Sequence, residues 1–174
     1  PVLAILLGVL SGQAFSSTLV SSASERELVT VLDLLSARGA RIAKRAGPDG
    51  STLYDVEGLG DGNYLGALEY EAEGDTELAK AAALFSGLFA HAPTHFREPV
   101  LSPDHTERLL LELGAPVRAL GAVVALDPEG YAGHWNALRF EVPGDISARN
   151  LLAAAAMVVP GSRVTLRGAS LNPT

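Results

Sequence analysis

The stretch Pro143-Gly-Asp-Ile-Ser-Ala-Arg-Asn-Leu-Leu-Ala-Ala-Ala-Ala-Met-Val-Val-Pro160, continued by Gly161-Ser-Arg-Val-Thr-Leu-Arg-Gly-Ala-Ser-Leu-Asn-Pro-Thr174, reads as a turn, a helix, a stop and a strand. Pro143-Gly144 makes the turn, and Asp145 or Ser147 can accept from the first free N–H groups of the helix. Ile146 to Val159 is apolar almost all round, which predicts a buried helix with Leu151, Ala154, Ala155 and Val158 out of water. Pro160-Gly161 ends it, and Arg163-Val-Thr-Leu-Arg167 alternates as a half-buried strand does.

The same unit recurs upstream. Gly8-Val-Leu-Ser-Gly-Gln-Ala-Phe-Ser-Ser-Thr-Leu aligns with the segment from Gly87 at an offset of 79, and that segment with the one from Ala156 at 69. Each copy is a helix end, a short turn and a strand. The first two are followed by a second helix closing in Gly-Ala, with Gly39 and Gly114 75 residues apart. A period of this length means repeated supersecondary units that bury one another's apolar faces.

Between these landmarks the chain reads in order. Val2 to Gln13 is a buried helix and Ala14 to Ser21 a strand. Ser24-Glu-Arg-Glu27 is a capping box for a helix that carries Leu28, Val31, Leu32, Leu34 and Leu35 and stops at Gly39. Strands Arg41–Arg45 and Thr52–Glu57 flank the turn Gly47-Pro-Asp-Gly50, and a further strand covers Gly66–Ala72. Asp75 or Thr76 caps a helix reaching Ala90, and Thr94–Glu98 is a strand. Asp104-His-Thr-Glu107 is a second capping box, followed by strands at Val117–Leu120, Ala122–Leu126 and Ala137–Val142. The order β-α-β-α-β-β repeats, giving a mixed α/β fold. One domain covers 1–174, with the main repeats in 1–142 and a final helix-strand unit in 143–174.

Composition excludes several functions. The 174 residues suffice for a core, and 48% hydrophobic with 19% charged residues says globular. A net charge of −7 argues against nucleic acid or an anionic membrane as partner. The absence of cysteine excludes disulfides and thiolate chemistry. Pro1 to Leu10 is too short to span a bilayer, and the expected location is cytoplasmic.

No single feature is a self-sufficient catalytic constellation. Asp104-His105 reads as a helix start rather than an acid/base pair, and His91, His95 and His134 lack metal spacing. Glu69, Glu71 and Glu73 read as a solvated strand face, and Gly58-Leu-Gly-Asp-Gly as a turn. Tyr131 and Trp135 either pack locally or anchor a partner. No cofactor and no metal are expected.

Arg97-Glu-Pro-Val-Leu-Ser-Pro-Asp-His-Thr-Glu-Arg-Leu-Leu resembles the Glu-Pro-x-x-Ser-Arg-Asp-His-Thr-Glu-Arg-Met-Leu segment of bacterial EPSP synthases. Pro143-Gly-Asp-Ile-Ser with Leu171-Asn-Pro-Thr174 is similar to that family's Pro-Gly-Asp-x-Ser-Ser…Asn-Pro-Thr. The resemblance spans nearly the whole chain but only the middle of a full enzyme. It implies βαβαββ units around buried parallel helices, and transfer of an enolpyruvyl group from phosphoenolpyruvate to shikimate 3-phosphate between two lobes. Residues 143–174 would then begin the crossing toward the second lobe. It also implies substrate contacts at Ser24, Arg26, Thr76 and Ser102. Against the same pattern, Leu28 stands for an arginine, Leu78 for a glutamine and Pro103 for an arginine.

Phosphate-rich substrates need converging, fully charged donors, and the three replacements remove such groups. The chain is therefore expected to be a catalytically degenerate EPSP-synthase-like domain serving structure or protein interaction. Its partners would be proteins or flanking domains of a larger chain, with homo-oligomerisation open. The alternatives are a fragment or divergent enolpyruvyl transferase, and a module that binds a less charged ligand. The start without Met and the end on Asn-Pro-Thr point to a segment of a larger protein.

Overall fold

The computed structural model describes residues 2–22, 26, 28–74, 77–131, 133–168 and 170. The chain divides into two units, Pro1–Asn136 and Ala137–Thr174.

The first unit contains two copies of one motif. In order they are α1 (Val2–Leu10), β1 (Ser17–Ser21), α2 (Val29–Ala37), β2 (Arg41–Ala46) and β3 (Thr52–Glu57). Then come β4 (Leu68–Glu71), α3 (Glu77–Gly87), β5 (Thr94–Arg97), α4 (His105–Glu112), β6 (Val117–Leu120) and β7 (Val123–Leu126). The second copy has the full β-α-β-α-β-β order, and the first has the same order without a leading strand among the described residues.

Sheet pairing repeats as well. The first sheet runs β1-β3-β2 and the second β4-β5-β7-β6, so β1, β3 and β2 stand where β5, β7 and β6 stand. The common strands pair antiparallel in both, with Ser17 opposite Val56 in one and Thr94 opposite Leu126 in the other. The added strand β4 pairs parallel with β5, from Leu68 opposite Thr94 to Glu71 opposite Arg97. The short turn Pro48–Gly50 closes the connection from β2 to β3 and residues 121–122 that from β6 to β7, whereas Pro128–Gly130 follows β7.

The structure sets the spacing of the two copies at 75 residues. Ser11 and Ser86 are both buried and both return their hydroxyls to the carbonyl four residues back, Leu7 and Ala82. Gly39 and Gly114 both adopt the left-handed conformation that ends a helix, at φ 97° and 86°. The offset of 79 read from Gly8 and Gly87 is out of step, because Gly8 lies inside α1 whereas Gly87 is the last residue of α3.

Helix α3 is the core element, with every residue from Ala79 to Gly87 buried. Its alanines allow close approach. A Cβ at Gly8 would sit 2.8 Å from the Ala82 carbonyl oxygen, and one at Gly12 would overlap Phe89. These contacts advance together along both segments, so α1 and α3 run parallel. One apolar cluster joins α1, α2 and the first half of α3 to β3 and Phe96, and includes Leu28, Leu34, Tyr54 and Ala82. A second joins Leu84, Phe85 and Leu88 to Leu110, Val117, Val124 and Leu126.

Residues 137–174 correct three expectations. Asp145 caps α5 (Ile146–Val158) by accepting from the Ala148 N–H at 2.7 Å, and Gly161 follows at φ 77°, as the sequence suggested. The helix is not buried, however: Leu151 is 74% exposed and Met157 88%, and Ala154, Ala155 and Val158 are exposed too. Ala137–Val142 and Arg163–Arg167 form no strands. The cause is common to all three. Apolar composition and alternation state what a segment needs for burial, and this unit supplies neither a second helix nor a partner strand among its described residues. Among the described residues, bonds from Gly144 N–H to Gly168 O (2.8 Å) and from Ser170 N–H to Gly144 O (3.2 Å) close it.

The Ser24–Glu27 box, the Asp75 or Thr76 cap and Leu171–Thr174 lie outside the described residues. The Asp104–Glu107 box does not form. Asp104 makes no cap bond to α4 and accepts instead from Arg108 Nε at 2.8 Å, while Glu107 turns inward. No helix among the described residues is long and apolar enough to cross a membrane.

Exposure gives a direct contrast in stability. Leu84→Ala in α3 should cost about 2–5 kcal/mol, the range for a cavity in a packed core. Met157→Lys in α5 should change stability by less than about 0.5 kcal/mol, as at a surface site. Urea denaturation of the 174-residue chain, followed by far-ultraviolet circular dichroism, measures both.

Candidate functional site

The positions singled out in the sequence lie where helices begin. Leu28 immediately precedes α2, Leu78 is in the first turn of α3, and Ser102 and Pro103 lie on the loop from β5 to α4. Arg26 is exposed, and Ser24 and Thr76 lie outside the described residues. Leu28 is buried in the apolar cluster against which Leu78 packs, so both leucines serve the core. Pro103 is half-buried and presents no donor.

Ser102 is drawn into a polar cluster that the sequence reading did not anticipate. Lys80, one turn into α3, is 1% exposed. Its ammonium lies 3.1 Å from Glu98 Oε1 and 2.7 Å from Glu107 Oε1, and donates to the Ser102 carbonyl at 3.3 Å. Those three bonds use all three ammonium hydrogens. Glu98 Oε2 accepts from the Ser102 hydroxyl at 2.6 Å and from its N–H at 3.2 Å. Glu98 and Glu107 are 2% and 5% exposed, and Glu107 Oε2 has no hydrogen-bond partner among the described residues.

Burial pushes the Glu98 carboxyl up, but the Ser102 hydroxyl, the Lys80 hydrogen bond and the Lys80 charge outweigh it. The group is held below the ordinary value of 4.5. Two carboxylates therefore share one cation, and this cation has nothing left for a ligand. This is also why the capping box fails: a buried charged partner outbids an exposed backbone N–H for Glu107.

At the other end of α3 a second buried cation ties the two copies together. Arg38, the C-cap of α2, is 2% exposed. It donates to Ala83 O at 2.9 Å, Ser86 Oγ at 2.6 Å, Thr94 Oγ1 at 2.8 Å and Gly66 O at 3.2 Å. With no carboxylate among these partners, burial pushes its guanidinium down to about 10. The sequence signal for both cations was the same: a single long basic side chain set among small or apolar neighbours, where a solvated face would show several polar residues.

The remaining candidates are surface features. His91 Nδ1 pairs with the Leu65 carbonyl and His95 Nδ1 with Glu69 Oε1. Among the described residues no group of acidic or histidine side chains could hold a metal ion. Glu69, Glu71 and Glu73 are exposed. The rings of Tyr131 and Trp135 stand 5.3 Å apart at 49°, beside a hollow lined also by Tyr64 and Phe89.

The family model for EPSP synthase (3-phosphoshikimate 1-carboxyvinyltransferase) matches residues 1–174. This chain belongs to the EPSP synthase family. A 3-phosphoshikimate 1-carboxyvinyltransferase of Endomicrobium trichonymphae is 38% identical over 172 residues, covering 98% of this chain and 38% of that protein. One from Anaeromyxobacter is 38% identical over 174 residues, covering 99% and 38%. EPSP synthase from Acinetobacter baumannii superposes with a TM-score of 0.78 at 29% identity, over 98% of this chain and 37% of the other. An enolpyruvyl transferase, NikO of Streptomyces tendae, shares the fold at a TM-score of 0.52 and 18% identity, over 82% and 31%. The chain thus spans under two fifths of the length of these relatives.

The buried cluster predicts a steep response to a single cut. Lys80→Met leaves two buried carboxylates uncompensated and should cost about 3–5 kcal/mol. Because the Glu98 carboxyl is depressed, its contribution is present above 4.5 and lost as the pH falls through its lower folded value. Removing the Ser102 hydroxyl should raise the folded value, so that the loss is smaller and is complete at a higher pH. Urea midpoints measured from neutral pH down to acid for the wild type and Ser102→Ala check this.

Proposed function

We propose that this EPSP-synthase-family domain is catalytically degenerate and serves as a structural or protein-interaction module. The observation that carries the reading is the neutralised Lys80. It is buried at the start of α3, beside Ser102 and Pro103, and its three hydrogens are committed to Glu98, Glu107 and the Ser102 carbonyl. A phosphate monoester needs several converging donors in a fixed geometry. Of the retained positions, Ser102 donates its hydroxyl inward to Glu98, and Arg26 is exposed. Leu28, Leu78 and Pro103 offer none. Glu77, in the first turn of α3, further disfavours an anion at that helix start.

A second reading has its own support. Identity of 38% along 98% of the chain to a curated 3-phosphoshikimate 1-carboxyvinyltransferase favours a fragment or divergent enolpyruvyl transferase. Calorimetric titration of the 174-residue chain with shikimate 3-phosphate, alone and with phosphoenolpyruvate, separates the two. The degenerate reading expects no saturable heat at physiological salt. Saturable binding of shikimate 3-phosphate establishes the transferase reading in its place.

A further inference from the structure

The hollow beside Tyr131 and Trp135 lies past the end of α3, at the opposite end of that helix from Lys80. Of the chain's five phenylalanines, four tyrosines and single tryptophan, Phe89, Tyr64, Tyr131 and Trp135 meet there around a volume of about 620 Å³. Small-molecule sites have volumes of this order. Phe89 and Tyr131 are half-buried and pack on the apolar core. Tyr64 and Trp135 stay at the rim, 64% and 42% exposed. Core packing accounts for the first two rings and not for the other two.

The walls are fixed by backbone bonds. Leu59 N–H donates to the Gln13 carbonyl at 2.8 Å, Leu65 N–H to the Phe89 carbonyl at 2.9 Å, and Asn136 N–H to the Leu113 carbonyl at 3.0 Å. Each ring-bearing segment is therefore anchored beside its ring. The space exists before any ligand enters it, which lowers the ordering cost of binding.

The fixed charges nearby share one sign. None of the described residues that line the hollow is acidic or basic. Segments 59–65, 86–92 and 127–136 contribute Asp61, Asp127 and Glu129, all exposed, and no lysine or arginine. Helices α1 and α3 run parallel and both end here, near Val9 and just before Leu88, so two partially negative C-termini converge on the hollow. Each of these features opposes an anion. All of them favour a cation, as do the negative faces of the rings. A primary ammonium would bring three N–H donors to walls that are mostly aromatic. A quaternary ammonium brings none, and presents only polarised methyl groups.

We propose that this hollow binds a small quaternary ammonium compound, with its methylated nitrogen against the faces of Trp135 and Tyr131. Binding here does not depend on whether the chain transfers an enolpyruvyl group, since no residue at the start of α3 takes part.

Trp135 is the only tryptophan, so its emission reports on this hollow. The 174-residue chain is titrated with choline chloride, with sodium chloride at matched ionic strength, and with the dimethylbutanol in which carbon replaces the nitrogen of choline. Choline should change the emission saturably, with a half-saturation at least about tenfold below that of the uncharged isostere, as expected where more than one ring face meets the charge. Trp135→Phe and Trp135→Leu, followed by calorimetry, should weaken choline binding unequally. The phenyl ring should keep most of the affinity, and leucine should lose about tenfold. If circular dichroism shows that Trp135→Leu does not fold, Tyr64→Leu at the most exposed ring decides, with an expected loss of about threefold read from Trp135 emission. A response that does not saturate, or that sodium chloride reproduces, overturns the inference. Equal affinity for the isostere overturns it too, because the hollow would then be a plain apolar site, and so does unchanged affinity in the leucine variants.

Discussion

Burial of α3 from Ala79 to Gly87 is the constraint on which the rest of unit 1 depends. A helix enclosed on every side must satisfy its polar side chains from within the protein. It carries two such groups in its buried stretch, Lys80 near the start and Ser86 near the end. Lys80 recruits Glu98 and Glu107 from its own repeat, and Ser86 receives Arg38 from the other. Alanines between them let α1 approach so closely that Gly8 has no room for a side chain. Tight apolar contact in the middle and polar anchors at both ends together fix where α1, α2 and α4 lie.

The two copies show how far one fold tolerates an exchange of physics. Positions that are ionic in the second copy, Lys80 and Glu107, are Ile5 and Leu32 in the first, and Arg38 of the first corresponds to Leu113 of the second. The order of the three common strands is the same in both copies despite these exchanges. Arg38 in addition bonds to Gly66, Ser86 and Thr94, all in the other copy, and so fastens one copy to the next. Leu113 has no such reach. Polarity inside this unit follows what must be held at each junction rather than what the repeat itself requires.

Local signals were legible to the extent that their partners were local. Gly39 and Gly114, the hairpin turn at Pro48–Gly50 and the strands β2, β3, β6 and β7 follow from nearby residues, and the structure places them within a residue or two. The Asp104–Glu107 pattern satisfied every local criterion for a capping box, yet Glu107 found Lys80, 27 positions away, and a buried charge outweighed a surface bond. The α5 reading failed for the converse reason. An all-apolar helix was read as buried because burial is what it needs, but exposure depends on neighbours that the segment's own sequence does not contain. At the candidate site, Leu28, Leu78 and Pro103 were visible as missing donors. That Ser102 is engaged by Glu98 was not, since a hydroxyl in a motif looks the same whether it faces a ligand or a carboxylate.

That last ambiguity bears on how the capacity of this edge to bind a ligand is judged. Counting retained motif residues would score Ser102 as kept and Lys80 as an unremarkable helix residue. Counting hydrogen-bond capacity gives another answer. The ammonium has three donors and all three are used, and the serine donates its hydroxyl inward. An anion is bound by donors left over after the protein has satisfied itself, because each donor it takes from an internal partner leaves a buried acceptor unpaid. On that measure the start of α3 has little to offer a phosphate. Its internal carboxylates, not the number of matching residues, set how much additional positive charge an anion at this edge would need.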